Sequence, residues 1–374
     1  MTNRIPFTSA ALLALLSLFL VAAPILAQDP TPTPLALGPT MTSLRSRNQL
    51  TCGVNQDALG LGYLDPNSGD VVGLQVDLCR ALAAALFGDA AAVQFPPYSS
   101  TTSAMNALKS GEVDLLIRDV PWTFSQDASG LEFGPPIFYT GQGIMVQAEG
   151  GATTWNELNS KTVCVVAAST AEAEIPAVAA RQNITLQIIT PASATLQAAW
   201  QNLQDGRCDA LSAERVQLLI LQKRSSEPQS FIVWDAPNQV YTHEPYAPVM
   251  RNDDEQWANI VRWTMLGLVQ AEQLGITSET VETYVRQVVN GTAETDAVYL
   301  ERVGPERARF LDPVFGLGAQ LGLAPDFMRP AIVAVGNYGE IYNRHFGAQG
   351  DLTLPRGLNN LADTGGLMYA PDWR

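Results

Sequence analysis

The sequence predicts an α/β protein made of two similar units in series, preceded by an export leader. Three observations carry that prediction. Short apolar runs alternate with longer amphipathic stretches, the pattern of parallel strands with covered faces. The same order of elements occurs before and after residue 150, and each copy contains helix, Gly, Asp and apolar strand in that sequence. The first 27 residues have the make-up of a secretory signal.

In the leader, Arg4 supplies the positive charge and Phe7 to Ala23 is an unbroken small and apolar run. Pro24-Ile25-Leu26-Ala27 offers cleavage after Ala27, and an uncleaved anchor is the competing assignment. No Cys lies near the cleavage site, which argues against a lipid anchor. No later stretch is long and apolar enough to span a bilayer, so a soluble mature protein, periplasmic or extracellular, is expected. Residues 28–41 follow as a Thr/Pro spacer, since alternating Thr and Pro favours extended chain over helix or sheet.

The first unit opens with Leu50-Thr51-Cys52-Gly53-Val54, read as a buried strand. An amphipathic helix runs from Val72 to Phe87 and stops at Gly88-Asp89. Val93-Gln94-Phe95 is a second strand. Ser103 to Leu108 is a helix capped by Thr101 or Thr102, and Val113 to Ile117 is a third strand. In the second unit, Trp155 to Leu158 is a short helix and Thr162 to Val166 a strand. A helix over 171–181 is interrupted at Pro176. Leu186 to Ile189 is a strand, Ser193 to Leu203 a helix, and Cys208 to Leu211 a strand. Phe231 to Trp234 adds a strand before a return rich in proline (Pro237, Pro245, Pro248), and a long amphipathic helix covers Asp253 to Leu274.

The length of 374 residues suits two domains, each with its own core. Hydrophobic residues at 47% and charged residues at 16% suit a folded chain. The formal net charge of −15, with no offsetting Lys/Arg cluster, excludes nucleic acid as the expected partner. The four cysteines of an exported chain suggest two disulfides. Three connectivities are open, and sequence order favours Cys52–Cys79 and Cys164–Cys208. Metal binding is disfavoured because no Cys-x-x-Cys pair occurs and the histidines, His243 and His345, are remote from the cysteines and from each other. No cofactor is expected.

Several motifs in order resemble one family. They are Gly73-x-x-x-Asp77-Leu78-Cys79-Arg80-Ala81, then Leu108-x-Ser110-Gly111-Glu112-Val113-Asp114, then Trp122-Thr123-Phe124-Ser125, then Gly206-Arg207-Cys208-Asp209. The tail adds Val335 to Tyr342, Arg356-Gly357-Leu358-Asn359, and Gly365 to Pro371. Together they resemble the polar amino-acid-binding proteins of ABC importers (solute-binding protein family 3), within them the general L-amino-acid branch. The resemblance implies a type II periplasmic-binding-protein fold, two Rossmann-like lobes joined by two hinge crossovers. Lobe one would hold residues 42–140 and 242–374, lobe two 142–238, and both cysteine pairs would close within a lobe. It implies a monomer that carries a small polar solute to an ABC permease.

A zwitterion between two α/β lobes requires a cation and backbone N–H groups for its carboxylate, an anion for its ammonium, and an apolar wall. By the resemblance, Trp122 would pack over the ligand and Thr123 would offer a hydroxyl. The family places a carboxylate-binding Arg where this chain has Gln126; Arg118, on the same loop, is the substitute. Ser169 and Thr170 stand where the family has a ligand-facing Thr pair, and helix capping is their alternative use. Glu214 takes the place of the ammonium-binding Asp, with a surface pair to Arg215 as its alternative. Two other functions remain open: a periplasmic dehydratase on the same scaffold with Glu214 as general acid, against which no base or nucleophile arrangement is found, and a freestanding ligand sensor. Tyr338, Tyr342 and Tyr369 are expected to pack along lobe one, with a surface facing the permease as the alternative.

Overall fold

A computed structural model describes residues 37–234 and 240–374. The leader, most of the spacer and Pro237 lie outside the described residues.

Two five-stranded sheets organise the chain. The first has the order Val93–Gln94, Leu50–Gly53, Leu115–Leu116, Val249–Arg251, Leu131–Phe133. The second has the order Leu186–Ile189, Lys161–Cys164, Ala210–Glu214, Gln142–Gln147, Phe231–Val233. The expected parallel pairing holds on one side of each sheet. One strand in each runs against its neighbours: Val249–Arg251 in the first and Gln142–Gln147 in the second. Those strands enter their sheet directly from the other lobe, and no crossover helix precedes them to turn them parallel.

The two connections between lobes pair with each other. Phe138–Thr140 runs antiparallel to Glu244–Tyr246, with Thr140 opposite Glu244 and Phe138 opposite Tyr246. A Cβ on Gly141 would fall 2.1 Å from the Thr242 carbonyl, so only glycine lets the crossovers approach so closely there. The proline-rich return carries no strand signal in the sequence, yet it holds Glu244–Tyr246 and Val249–Arg251. Pro245 is tolerated because it stands opposite Tyr139, whose main-chain groups bond Asn359 and not Pro245, so the ribbon needs no N–H at that position.

Several boundaries differ from the sequence reading. The helix Pro39–Arg47 begins inside the segment read as spacer, with Pro at its first position, where no N–H is needed. Helix Thr101–Ser110 is capped by Ser100, whose hydroxyl accepts from the Ser103 amide at 3.1 Å. Helix Thr170–Arg181 continues through Pro176. The last strand of the second αβ repeat is Ala210–Glu214, which puts Glu214 on a strand end.

Helix Leu74–Phe87, amphipathic by its sequence, is buried nearly all round, including Ala81, Ala83, Ala84 and Ala85. Such a helix needs cover on every side, and its buried Asp77 is met by Arg344 and His345 of the C-terminal region. The C-terminal region supplies the outer layer: helix Met328–Val335 packs on it, and Met328, Ala331, Ile332 and Val335 join the same core. Tyr338 and Tyr342 are buried in that core as expected, whereas Tyr369 is exposed. Disulfides Cys52–Cys79 and Cys164–Cys208 close with Cα separations of 6.3 and 5.8 Å, each within one lobe. Among the described residues no helix is long and apolar enough to cross a membrane.

Candidate functional site

A cleft of about 370 Å³ opens between the lobes. From the first lobe it takes the loop after Leu50–Gly53 (Asn55 to Leu61), the start of helix Thr101–Ser110, and Arg118-Asp119 beyond the third strand. From the second it takes Leu196-Gln197 and helix Arg215–Arg224 with its cap Glu214. Three helix N-termini therefore meet there, and each carries partial positive charge. Leu61, Leu196, Val216, Ile220 and Leu221 give the cleft an apolar side.

Arg118 is only 3% exposed. Its Nη1 donates to the Val54 carbonyl at 2.9 Å, and its Nε lies 3.9 Å from Asp119 Oδ1 without a hydrogen-bond partner. A buried guanidinium with donors to spare keeps capacity for an anion. Asn55 fixes this corner. Its Oδ1 accepts from Gln75 Nε2 (3.1 Å) and from the Asp119 amide (3.1 Å), and its own amide donates to Gln75 Oε1 (2.9 Å).

Glu214 is 6% exposed and stands at the junction of hinge and cleft. It accepts from the Thr140 hydroxyl of the first crossover, from the Val216 amide at 3.0 Å and from the Gln217 amide at 3.0 Å. Burial pushes its pKa up to about 7; the three donors work in the opposite direction, and the nearby Glu244 adds to the rise. Glu244, on the second crossover, accepts from Gln142 Nε2 and from the Thr242 hydroxyl, each at 2.9 Å. Burial, with the charges of Glu214, Asp119 and Glu244, raises the Tyr246 phenol well above its ordinary value.

Of the expected site residues, the structure brings Arg118 and Glu214 together at this cleft. The others stand outside its lining. Trp122 is 40% exposed, stacks on Phe133 with centroids 6.2 Å apart, and donates its amide to the Pro245 carbonyl at 2.8 Å. The Thr123 hydroxyl caps the short helix Phe124–Asp127, accepting from the Gln126 amide. Ser169 caps helix Thr170–Arg181 through the Glu172 amide, and Thr170 is exposed. Ala168 before them adopts φ +58°, a left-handed conformation that a side chain disfavours.

Sequence reasoning missed helix Arg215–Arg224 and, with it, Gln217 and Arg224. The apolar run Leu218 to Leu221 followed by Lys223-Arg224 was the available signal. Arg224 spans the cleft: its Nη2 donates to the Asp57 carbonyl of the other lobe at 3.0 Å. Among the described residues no group of three or more His, Cys, Asp or Glu side chains could hold a metal ion.

The chain matches the profile of bacterial extracellular solute-binding proteins, family 3, over residues 50–287. The chain belongs to this family. As a family 3 member it is 35% identical to the glutamate/glutamine/aspartate/asparagine-binding protein of Rhodobacter capsulatus, over 90% of this chain and 93% of that one. It is 32% identical to the general L-amino acid-binding periplasmic protein of Rhizobium johnstonii over the same shares. A periplasmic binding protein from Brucella ovis, solved with glutathione bound, superposes with a TM-score of 0.74 at 32% identity, covering 89% of this chain and 98% of that one. These likenesses extend through the C-terminal region, beyond residue 287, where the family profile ends.

Proposed function

We propose that this family 3 protein captures a small zwitterionic solute of amino-acid type in the interlobe cleft and delivers it to an ABC permease. The observation that carries the reading is the pairing of a buried cation from one lobe, Arg118, with a buried anion from the other, Glu214, across one cleft. Arg118 would hold the ligand carboxylate with its spare donors. Glu214 would hold the ammonium, which neutralises a carboxylate that burial otherwise disfavours. A ligand touching both lobes stabilises the closed arrangement by its differential affinity for that state. Relatives that take several amino acids, and one that holds glutathione, support a zwitterionic class.

Trp122, Thr123, Gln126, Ser169 and Thr170 complete the proposed set only if closure carries their loops toward the ligand. With Gln126 in place of a guanidinium, a charge-assisted contact of roughly 1.5–3 kcal/mol passes to Arg118. The working organisation is a monomer with lobe one over 42–140 and 242–374, lobe two over 142–238, and a leader removed after Ala27. Calorimetric titration of the mature protein against the amino acids and glutathione tests the reading. Saturable binding by at least one zwitterion is expected; flat traces throughout would defeat it.

A further inference from the structure

The C-terminal region does more than cover the core. It grips the first crossover at three consecutive residues. The Tyr338 hydroxyl donates to the Ile137 carbonyl at 2.9 Å. The Phe138 ring packs against Phe346 and Tyr342, with centroids 5.3 and 6.1 Å away. Asn359 then pairs with the Tyr139 main chain in both directions: the Tyr139 amide donates to its Oδ1 at 2.6 Å, and its Nδ2 donates to the Tyr139 carbonyl at 2.9 Å. One side chain thus occupies both main-chain groups of Tyr139 as a neighbouring strand would.

Asn359 is itself held. It is 3% exposed, and its carbonyl accepts from Arg356 Nε at 3.1 Å and Nη2 at 2.8 Å. Arg356 is anchored on Glu272 of helix Glu255–Gln273, at 2.5 and 3.1 Å, and lies over the Tyr338 and Tyr342 rings. One residue after Tyr139 the attachments change lobe. Thr140 bonds Glu214 and the Gly141 carbonyl accepts from the Arg215 amide at 3.0 Å, both in lobe two, while the Gln142 amide donates to the Thr242 hydroxyl of the second crossover at 2.8 Å.

We infer that Asn359 is a hinge-positioning residue: it fixes Tyr139 to lobe one, so that lobe rotation is confined to Thr140-Gly141 and the facing Thr242 to Glu244. The inference rests on the two-lobe capture reading above, and it adds a role for the C-terminal region that simple packing does not require. Without the clamp the crossover could bend over a longer stretch. The ligand-free protein would sample a wider range of interlobe angles, and closure would begin from a less ordered state.

The experiment is single-molecule energy transfer between dyes at exposed Asp89 and Gln182, introduced through bio-orthogonal amino acids because all four cysteines are in disulfides. Asn359→Ala should broaden the interlobe distance distribution of the ligand-free protein and, for any zwitterion that binds, speed dissociation by about three- to tenfold, a fraction of the full effect of losing two ordinary hydrogen bonds. Asn359→Asp, which keeps the acceptor for the Tyr139 amide and loses the donor to its carbonyl, should give a smaller broadening and serves if the alanine variant does not fold. Arg302→Ala, which breaks the pair with Glu294 elsewhere in the C-terminal region, should leave the distribution unchanged. A wild-type distribution in both Asn359 variants, or the same broadening in Arg302→Ala, would overturn the inference. Absence of ligand-driven closure in the wild type would instead count against the capture reading, and the ligand-free distributions would still decide the role of Asn359.

Discussion

Replacing Glu214 with Gln should invert its effect on stability between acid and alkaline pH. In the native protein burial lifts the Glu214 pKa to about 7, whereas a solvated Glu in the unfolded chain titrates at its ordinary value of 4.5. The folded state therefore binds more protons than the unfolded state between those values. Stability conferred at this position is present below the unfolded value and is lost as pH rises through 7. Every tenfold gain in proton affinity on folding corresponds to about 1.4 kcal/mol, so ionised Glu214 costs about 3 kcal/mol above pH 7 relative to its neutral form. Gln is permanently neutral and escapes that cost. Gln also turns an NH2 toward one of the Val216 and Gln217 amides, which removes a cap bond worth about 1 kcal/mol. Urea denaturation of E214Q and wild type at pH 4, 5, 6, 7 and 8 should show the variant weaker by about 1 kcal/mol at pH 4, where both states largely keep the proton, and close to wild type at pH 5. At pH 8 it should be stronger by about 2 kcal/mol. Taking the difference between the two proteins removes the titration of every other group. Parallel stability curves across that range would refute the proposition that Glu214 titrates there.

Three further outcomes follow from the same geometry. An ammonium beside Glu214 favours its ionised form, so zwitterion binding at pH 6 should release close to one proton, with affinity falling by up to tenfold per unit as pH drops below 7; calorimetry in buffers of different ionisation heat reads this, and E214Q should abolish it. Arg118→Met should weaken binding by about tenfold or more while the thermal transition survives, checked by titration and melting; unchanged affinity would remove Arg118 from the carboxylate role. Ala168→Gly should raise stability by about 0.5–1 kcal/mol, because φ +58° costs a side chain more than glycine's added unfolded-state freedom costs; chemical denaturation measures it, and a loss would show that the turn tolerates the alanine without strain.

The αβ repeats were legible in the sequence because their strands are short apolar runs, the third of each unit announced by a helix-ending Gly and an Asp, as at Gly111 and Gly206, and both sheets formed around those runs. The strands between lobes were not. Phe138–Thr140 and Glu244–Tyr246 are three residues each, and their periodicity is masked by Gly141, Pro245 and Pro248. The antiparallel strand in each sheet was hidden for the same reason, since its direction is set by the crossover and not by local pattern. Helix Leu74–Phe87 was placed correctly, but its full burial depends on a partner more than 240 residues away in sequence, Met328–Val335.

At the cleft, Arg118 and Glu214 were accessible because each sits just beyond a readable strand. Arg224 and Gln217 were not, because their helix begins at Glu214 itself, with no Ser, Thr, Asp or Asn to announce a cap. Asn359 stood out only as part of a tail motif. Its pairing with Tyr139 spans 220 residues, and no local pattern encodes such a contact.

The most direct test of two-lobed capture is a crystal structure of the mature protein with the zwitterion that binds it best. A closed molecule is expected, in which the ligand ammonium lies about 3 Å from a Glu214 carboxylate oxygen and the ligand carboxylate accepts from Arg118. A ligand held by one lobe alone, with Arg118 still turned to the Val54 carbonyl and Glu214 serving only as a helix cap, would contradict it.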